Sequence, residues 1–246
     1  MTGHIAIVGA GLVGSGWTIV FARAGETVRV FDGIPAVRAE FPLMVERQLN
    51  DLKRFDLVDD VEAIMARITV CDSLSNAVSG ARYIQESVFE QIDTKTAISA
   101  EIGPLLDDGA VVGSSTSGIP GSAFTENAPN RERFLVSHPV NPPYLVPVVE
   151  VVPTPWTAPD AVETALEVMK AVGQSPVLVR REVEGFVLNR LQGALLREAW
   201  ALYEEGYASA EDIDKTVSEG LGLRWFFMGP FETIDLNAPG GVKDYA

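Results

Sequence analysis

A single cysteine, Cys71, and two histidines are all that 246 residues provide of these types. One thiol rules out an internal disulfide and a cysteine metal cluster, and its place at the end of an apolar run reads as an inert buried group. No metal site is expected. Cations are scarce too, with 19 Lys and Arg against 34 Asp and Glu, for a formal net charge of −15. Such a field repels nucleic acid and anionic membrane, so neither is an expected partner. Apolar runs are broken by Pro or charge well short of the roughly 20 residues that span a bilayer. The first run begins almost at Met1, so no signal segment is visible and a cytoplasmic protein is expected. Hydrophobic residues nevertheless make up 47% of the chain, enough for a core in one large or two unequal domains.

What is present starts at the N-terminus. Residues 4–8 read as an apolar strand, followed by Gly9-Ala-Gly11-Leu12-Val-Gly14 and an apolar-periodic helix to about residue 24. A second strand, residues 27–31, ends at Asp32. This order suits a bound dinucleotide. Gly9 permits the tight turn, Gly11 lets backbone approach a pyrophosphate, Gly14 allows close helix packing, and Asp32 stands where an acidic side chain meets the adenosine ribose. A flavin or another adenosine cofactor would fit the same unit. Asp32 repels a 2′-phosphate and no basic residue follows it directly, which favours NAD over NADP, with Arg38 the main argument the other way.

His138 lies twelve residues ahead of Glu150, across a proline-rich loop. Oxidation of a secondary alcohol removes a hydride from carbon and a proton from oxygen, and imidazole suits the second task. Glu150, displayed in the apolar run 148–152, could orient the ring and stabilise imidazolium. Alone, such a pair is more often a satisfied structural contact; the cofactor unit turns it toward chemistry.

Strand-like and helix-like segments alternate through the first part of the chain. Residues 35–67 read as two charged helices, 68–71 and 82–85 as short strands, and 92–106 as a helix. Strands at 110–113, 134–137 and 148–152 deliver Ser117, His138 and Glu150, and a helix over 160–172 precedes a last strand at 176–179. The fold class is α/β, a mostly parallel sheet with helices on both faces, whose strand ends face one crevice. From residue 184 the pattern is helical throughout, with segments at 186–205 and 209–219 and a third starting at Gly229-Pro230. The domains are therefore placed at 1–182, binding the cofactor, and 183–246, smaller and all-helical.

Gly113-Ser-Ser-Thr-Ser-Gly118, His138-Pro-Val-Asn-Pro-Pro-Tyr144, Gly185-Phe-Val-Leu-Asn-Arg190 and Gly222-Leu-Arg-Trp-Phe-Phe-Met-Gly229 resemble the L-3-hydroxyacyl-CoA dehydrogenase superfamily, in register over the whole chain. The double proline after Asn141, Asn189-Arg-Leu-Gln192, Ser218-Glu-Gly-Leu-Gly222 and Gly229-Pro-Phe-Glu-Thr233 followed by Leu236-Asn-Ala238 are most similar to its L-gulonate 3-dehydrogenase branch. The resemblance implies a Rossmann-type NAD domain, then a helical domain that supplies a homodimer contact and closes the active site. It implies that Ser117 and Asn189 hydrogen-bond the substrate hydroxyl or developing carbonyl, that His138 is the base held by Glu150, and that Glu90 and Lys95 contact the cofactor. Each has a plainer reading. Ser117 could satisfy its own loop, Asn189 could cap a helix, and Glu90 with Lys95 could be a solvated surface couple.

The implied substrate is a small 3-hydroxy acid or its derivative. Arg224 could clamp a free carboxylate, which a thioester lacks, or could simply cap a helix. Trp225, Phe226 and Phe227 read as core, although an aromatic cage for a trimethylammonium group keeps carnitine in view. Arg38, Arg47, Lys53 and Arg54 are balanced by many acids, which counts against the phosphates of coenzyme A. The expected reaction is NAD-dependent oxidation of L-gulonate to 3-dehydro-L-gulonate. The alternatives are 3-hydroxybutyryl-CoA or another 3-hydroxyacyl-CoA, carnitine, or an NAD-binding structural protein without chemistry. Members of the family continue through further helices past the stretch resembling residues 240–246, so the helical domain is expected to be incomplete.

Overall fold

The computed structural model describes residues 3–245. The first nine elements are β1 (His4–Val8), α1 (Leu12–Arg23), β2 (Val28–Phe31), α2 (Pro35–Arg54), α3 (Val61–Met65), β3 (Ile68–Val70), α4 (Leu74–Val78), β4 (Ala81–Glu86) and α5 (Ile92–Ile102). Then come β5 (Val111–Ser114), α6 (Ser122–Thr125), β6 (Phe134–Pro139), β7 (Val148–Pro153), α7 (Pro159–Ala171) and β8 (Ser175–Leu178). They build one eight-stranded sheet in the order β3-β2-β1-β4-β5-β6-β7-β8. From β3 to β6 every pairing is parallel, whereas β7 runs antiparallel to β6 and parallel to β8. Strand order reverses beside β1, which is flanked by β2 and β4, and a crevice opens there beyond the carboxyl ends.

Period-two alternation sends neighbouring side chains to opposite faces. Ile5, Ile7, Tyr83 and Val111 join Trp17, Phe21, Phe41 and Met169 in one buried cluster. Ala6, Val8, Ile84 and Val112 join Ile102 and Phe134 in another. Both faces of the sheet are thus covered, as the near-continuous apolar strands require. Cys71 is buried, and burial raises its thiol above the ordinary value, in keeping with an inert group.

Between residues 68 and 134, two short helices escaped the sequence reading. α4 is started by Ser73, whose side chain accepts the Asn76 N–H, and α6 follows the Ser-Gly-Ile-Pro turn without a side-chain cap. Both are too short for a 3.6-residue period to register.

Residues fall into two compact units that divide after Val187. In the second, α8 (Leu188–Glu204) begins later than the expected residue 186 because Gly185 and Phe186 have φ of +73° and +49°, which no right-handed helix accepts. Ser209 caps α9 (Ala210–Lys215) by accepting the Asp212 N–H. The helical path then continues through a π-helical turn, Thr216–Leu221, into α10 (Gly222–Phe227), followed by α11 (Pro230–Asn237) and α12 (Val242–Tyr245). Its continuation past residue 219 reflects Gly222, where a Cβ would lie 2.8 Å from the Val217 carbonyl. The glycine leaves room for a π-bulge. Trp225, Phe226 and Phe227 are not core: they are 39%, 82% and 78% exposed.

Candidate active site

The glycine turn is shaped by contacts that exclude side chains. Gly9 has φ of +101°, and a Cβ on it would lie 2.5 Å from the Ser87 backbone; one on Gly14 would lie 1.9 Å from the Gly9 carbonyl oxygen. A Cβ on Gly11 would meet nothing within 4 Å, so the space over the turn is open. Gly11 also N-caps α1 without a side-chain hydrogen bond, and Leu12, the first helical residue, is exposed. The amides and dipole of the first turn are therefore offered outward, as a dinucleotide pyrophosphate needs. Asp32 sits at the next strand end, its Oδ2 accepting the Ala10 N–H at 2.8 Å and its Oδ1 the Ile34 N–H at 2.8 Å. Arg38 donates to the Asp32 carbonyl at 2.6 Å and stacks over Phe31. The guanidinium that could favour a 2′-phosphate is thus engaged with the backbone of the residue that repels one. These residues fit NAD.

A second cluster surrounds Glu90. Lys95 Nζ lies 3.0 and 3.2 Å from the two Glu86 oxygens and 3.5 Å from Glu90 Oε2. The Lys95 and Glu86 side chains are 1% and 2% exposed, so Lys95 is no solvated partner. Ser114 donates its hydroxyl to Glu86 as well. Glu90 Oε1 accepts the Thr116 hydroxyl at 2.7 Å and the Ser117 N–H at 2.7 Å, wrapping the loop after β5 around the carboxylate. Burial alone would raise the Glu90 carboxyl. The Thr116 hydroxyl, the Lys95 charge and the Ser117 and Gly118 amides outweigh it and hold the group below its ordinary value.

The third cluster joins β6 and β7. His138 and Glu150 are directly opposed in the antiparallel register, which brings their Cβ atoms within about 5.5 Å. His138 Nδ1 lies 2.8 Å from Glu150 Oε2, and Glu150 Oε1 accepts the Val187 N–H at 2.8 Å. Glu150 is 2% and His138 7% exposed. Phe186, buried against Val136, Val152 and Val179, sets its ring 5.5 Å from the imidazole. With Nδ1 engaged, Nε2 is the ring nitrogen left to exchange a proton.

Gly9, Gly11, Leu12, Gly14 and Asp32 are thus together, as are Glu90, Lys95 and the Ser117 backbone, and as are His138 and Glu150. Asn189 is the second residue of α8 and Arg224 is an exposed residue of α10, both in the second unit. The sequence reading missed the Val187 amide and the Phe186 ring. Only Gly185, a residue suited to positive φ, hints at that bend. No group of three or more His, Cys, Asp or Glu among the described residues could hold a metal ion. No helix among them is long and apolar enough to cross a membrane.

Comparison with known proteins covers nearly the whole chain. The NAD-binding domain of 3-hydroxyacyl-CoA dehydrogenase matches residues 4–183 and the C-terminal domain of the same family matches residues 185–245. The lambda-crystallin homolog of Homo sapiens is 41% identical over 246 residues, spanning 97% of this chain and 76% of that protein. An L-carnitine dehydrogenase of Streptomyces coelicolor is 40% identical over 233 residues, spanning 95% of this chain and 73% of its own. Among solved structures, 5-formyl-3-hydroxy-2-methylpyridine 4-carboxylic acid 5-dehydrogenase, an NAD+-dependent dismutase, matches with a TM-score of 0.87 at 33% identity, over 100% of this chain and 78% of that one.

Proposed function

Because the chain belongs to the 3-hydroxyacyl-CoA dehydrogenase family and is an NAD-dependent oxidoreductase, we propose that it oxidises the 3-hydroxyl of a small hydroxy acid, L-gulonate to 3-dehydro-L-gulonate, with His138 as general base. The buried His138 to Glu150 contact carries this reading. Glu150 holds Nδ1 as the N–H end of the imidazole, so Nε2 is the basic end, and the carboxylate stabilises the imidazolium that forms. Bound NAD supplies the hydride acceptor. Ser117 and Asn189 hydrogen-bond the substrate oxygen, and Glu90 faces the cofactor with Lys95 acting through it. Residues 1–182 hold the dinucleotide, while 183–246 supply substrate contacts and a homodimer surface, in a cytoplasmic setting.

The choice of a free acid over a thioester rests on charge. A cleft of about 530 Å3 between the glycine turn and α2 is lined by Arg47 but also by Glu40 and Asp51. Coenzyme A phosphates would meet one cation against two carboxylates there. Arg224 then clamps the substrate carboxylate. Carnitine is the second reading, favoured by the exposure of Trp225, Phe226 and Phe227 beside Arg224, since open aromatic faces can hold a trimethylammonium group.

Initial rates of NAD reduction with L-gulonate, L-carnitine and 3-hydroxybutyryl-CoA decide between them. Preference for L-gulonate that is lost in Arg224→Met supports the sugar-acid reading; preference for either competitor overturns it. Binding of NADH with no turnover of any of the three would make the protein a cofactor-binding protein without chemistry. His138→Ala should lower turnover at least about a hundredfold with NADH affinity kept. An equal loss of both would make the histidine structural.

A further inference from the structure

Beneath the crevice lies a buried polar network in which every hydrogen can be assigned. Trp17, Tyr83, Gln85 and Ser137 are fully buried and Ser115 nearly so. Gln85 Nε2 lies 3.1 Å from the Ser137 carbonyl oxygen and 2.7 Å from Ser115 Oγ. A carbonyl only accepts, so this end of Gln85 is the amide NH2 and both its hydrogens are committed. Gln85 Oε1 accepts the Tyr83 hydroxyl at 3.3 Å. That spends the phenol's one hydrogen, so Ser137 Oγ, 2.7 Å away, donates to Tyr83. The Trp17 indole, which can only donate, gives its N–H to Ser115 Oγ at 3.2 Å. Ser115 Oγ therefore accepts twice, and its own hydrogen goes to Ser87 Oγ at 2.8 Å. Ser87 receives a hydrogen and keeps its own to give. Among the described residues nothing accepts it.

Ser87 is half-buried at the carboxyl end of β4, its N–H on the Val8 carbonyl at 2.7 Å and its backbone against Gly9. In sheet order, the strand ends present Asp32 after β2, the glycine turn after β1, Ser87 after β4, Ser115 after β5 and His138 on β6. Four strand spacings, about 19 Å, separate the first from the last. A dinucleotide with its adenosine at Asp32 and its reacting ring at His138 passes over Ser87 after it leaves the glycine turn.

We propose that Ser87 is a cofactor-binding residue whose hydroxyl donates to an oxygen of the nicotinamide half of the dinucleotide, its phosphate or its ribose, with Trp17, Gln85 and Ser115 as positioning residues that fix the direction of the donation. The proposal rests on the placement of NAD given above. A fully satisfied buried network is rigid, so the donor is aimed before the ligand arrives.

The test compares NADH and AMP affinities in wild type, Ser87→Ala, Ser87→Thr and Asp32→Ala, with thermal unfolding to confirm the fold. Ser87→Ala should weaken NADH about three- to tenfold, the worth of one hydrogen bond, leave AMP unchanged, and be rescued by Ser87→Thr. Unchanged NADH affinity in Ser87→Ala, with a loss in Asp32→Ala, overturns the proposal and leaves the cofactor placement standing. Equal weakening of NADH and AMP overturns it as well, because the side chain would then only brace the turn. No effect of either Asp32→Ala or Ser87→Ala overturns the placement of NAD itself.

Discussion

Glu150→Gln tests the proton-transfer assignment with one atom changed and one charge removed. Glu150 accepts at both oxygens, from His138 Nδ1–H and from the Val187 N–H, each at 2.8 Å. An amide has one accepting end and one donating end. With its oxygen kept on Val187, its NH2 faces Nδ1, which must then accept; the imidazole carries its hydrogen on Nε2 and cannot take a proton there. With its oxygen turned to His138, its NH2 opposes the Val187 N–H in a position that is 2% exposed. The first outcome selects the wrong tautomer, a change that costs about 10⁴ in turnover in Ser-His-Asp enzymes. The second loses a charge-assisted bond and strands two donors, about 2–3 kcal/mol. Turnover should therefore fall between about a hundredfold and ten-thousandfold, roughly 3–5 kcal/mol of transition-state stabilisation. The assay is initial-rate NAD reduction, with NADH affinity from fluorescence titration and thermal unfolding in parallel. NADH affinity should stay within about twofold of wild type, because uniform cofactor binding does not use the imidazole. A folded Glu150→Gln protein that retains more than a tenth of wild-type turnover would refute the assignment.

Lys95→Met strands the Glu86 carboxylate in the interior and should cost about 3–5 kcal/mol, lowering Tm by roughly 6–20 °C. Adding Glu86→Gln should recover most of this, and failure of the double variant to recover in urea unfolding would mean that Lys95 matters for packing rather than charge. Gly14→Ala should lower both Tm and NADH affinity, since its Cβ would meet the Gly9 carbonyl at 1.9 Å, whereas Gly11→Ala, with nothing within 4 Å, should lose NADH affinity alone. Wild-type affinity in Gly11→Ala would remove the pyrophosphate from the turn. The Glu90 carboxyl is held below its ordinary value, so its stabilisation is present above the unfolded-state pKa, about 4.3, and is lost as pH falls through the lower folded value. Urea midpoints should show Glu90→Gln less stable than wild type at pH 7, with the gap narrowing as pH falls below the unfolded-state value.

The cofactor turn was legible in the sequence because its demands are local: a positive φ at Gly9, room at Gly14 and a carboxylate after the second strand are properties of single positions. The His138 and Glu150 pair was legible as a spacing, but its register was not read. Residues 140–147 hold the missing signal. Eight residues join β6 to β7, and a parallel return needs a dozen or more, so the connection is a reversal that brings the two strands face to face. Lys95 was harder. Its neighbours in sequence are polar, and it is buried against Glu86 and Ser114 on two strands remote from its own helix, which no local pattern reports. The same holds for Trp17, Gln85, Ser115 and Ser137, on α1, on β4, just after β5 and on β6, whose polar atoms meet only in the folded sheet. In the helical unit the path runs on past the expected end at residue 219, because Gly222 makes space for the Val217 carbonyl in a π-helical turn.

Net charge raises the question of how an acidic chain holds an anion. At −15 the protein repels NADH at long range, yet around the glycine turn the groups offered are backbone amides, a helix dipole and, by the assignment above, a neutral hydroxyl. Arg38 is spent on the Asp32 carbonyl, and Lys95 on Glu86. Short-range neutral donors act within a few ångströms, well inside the screening length of about 8 Å at physiological salt, so added salt removes the repulsion and leaves the attraction. NADH affinity should therefore hold or rise as salt goes from about 50 to 500 mM, a range across which a phosphate held by lysines or arginines would be lost by counterion competition. The measurement is a fluorescence titration of NADH at each salt concentration, and a fall in affinity of about tenfold or more would show that cations, rather than the turn and its neutral neighbours, hold the cofactor.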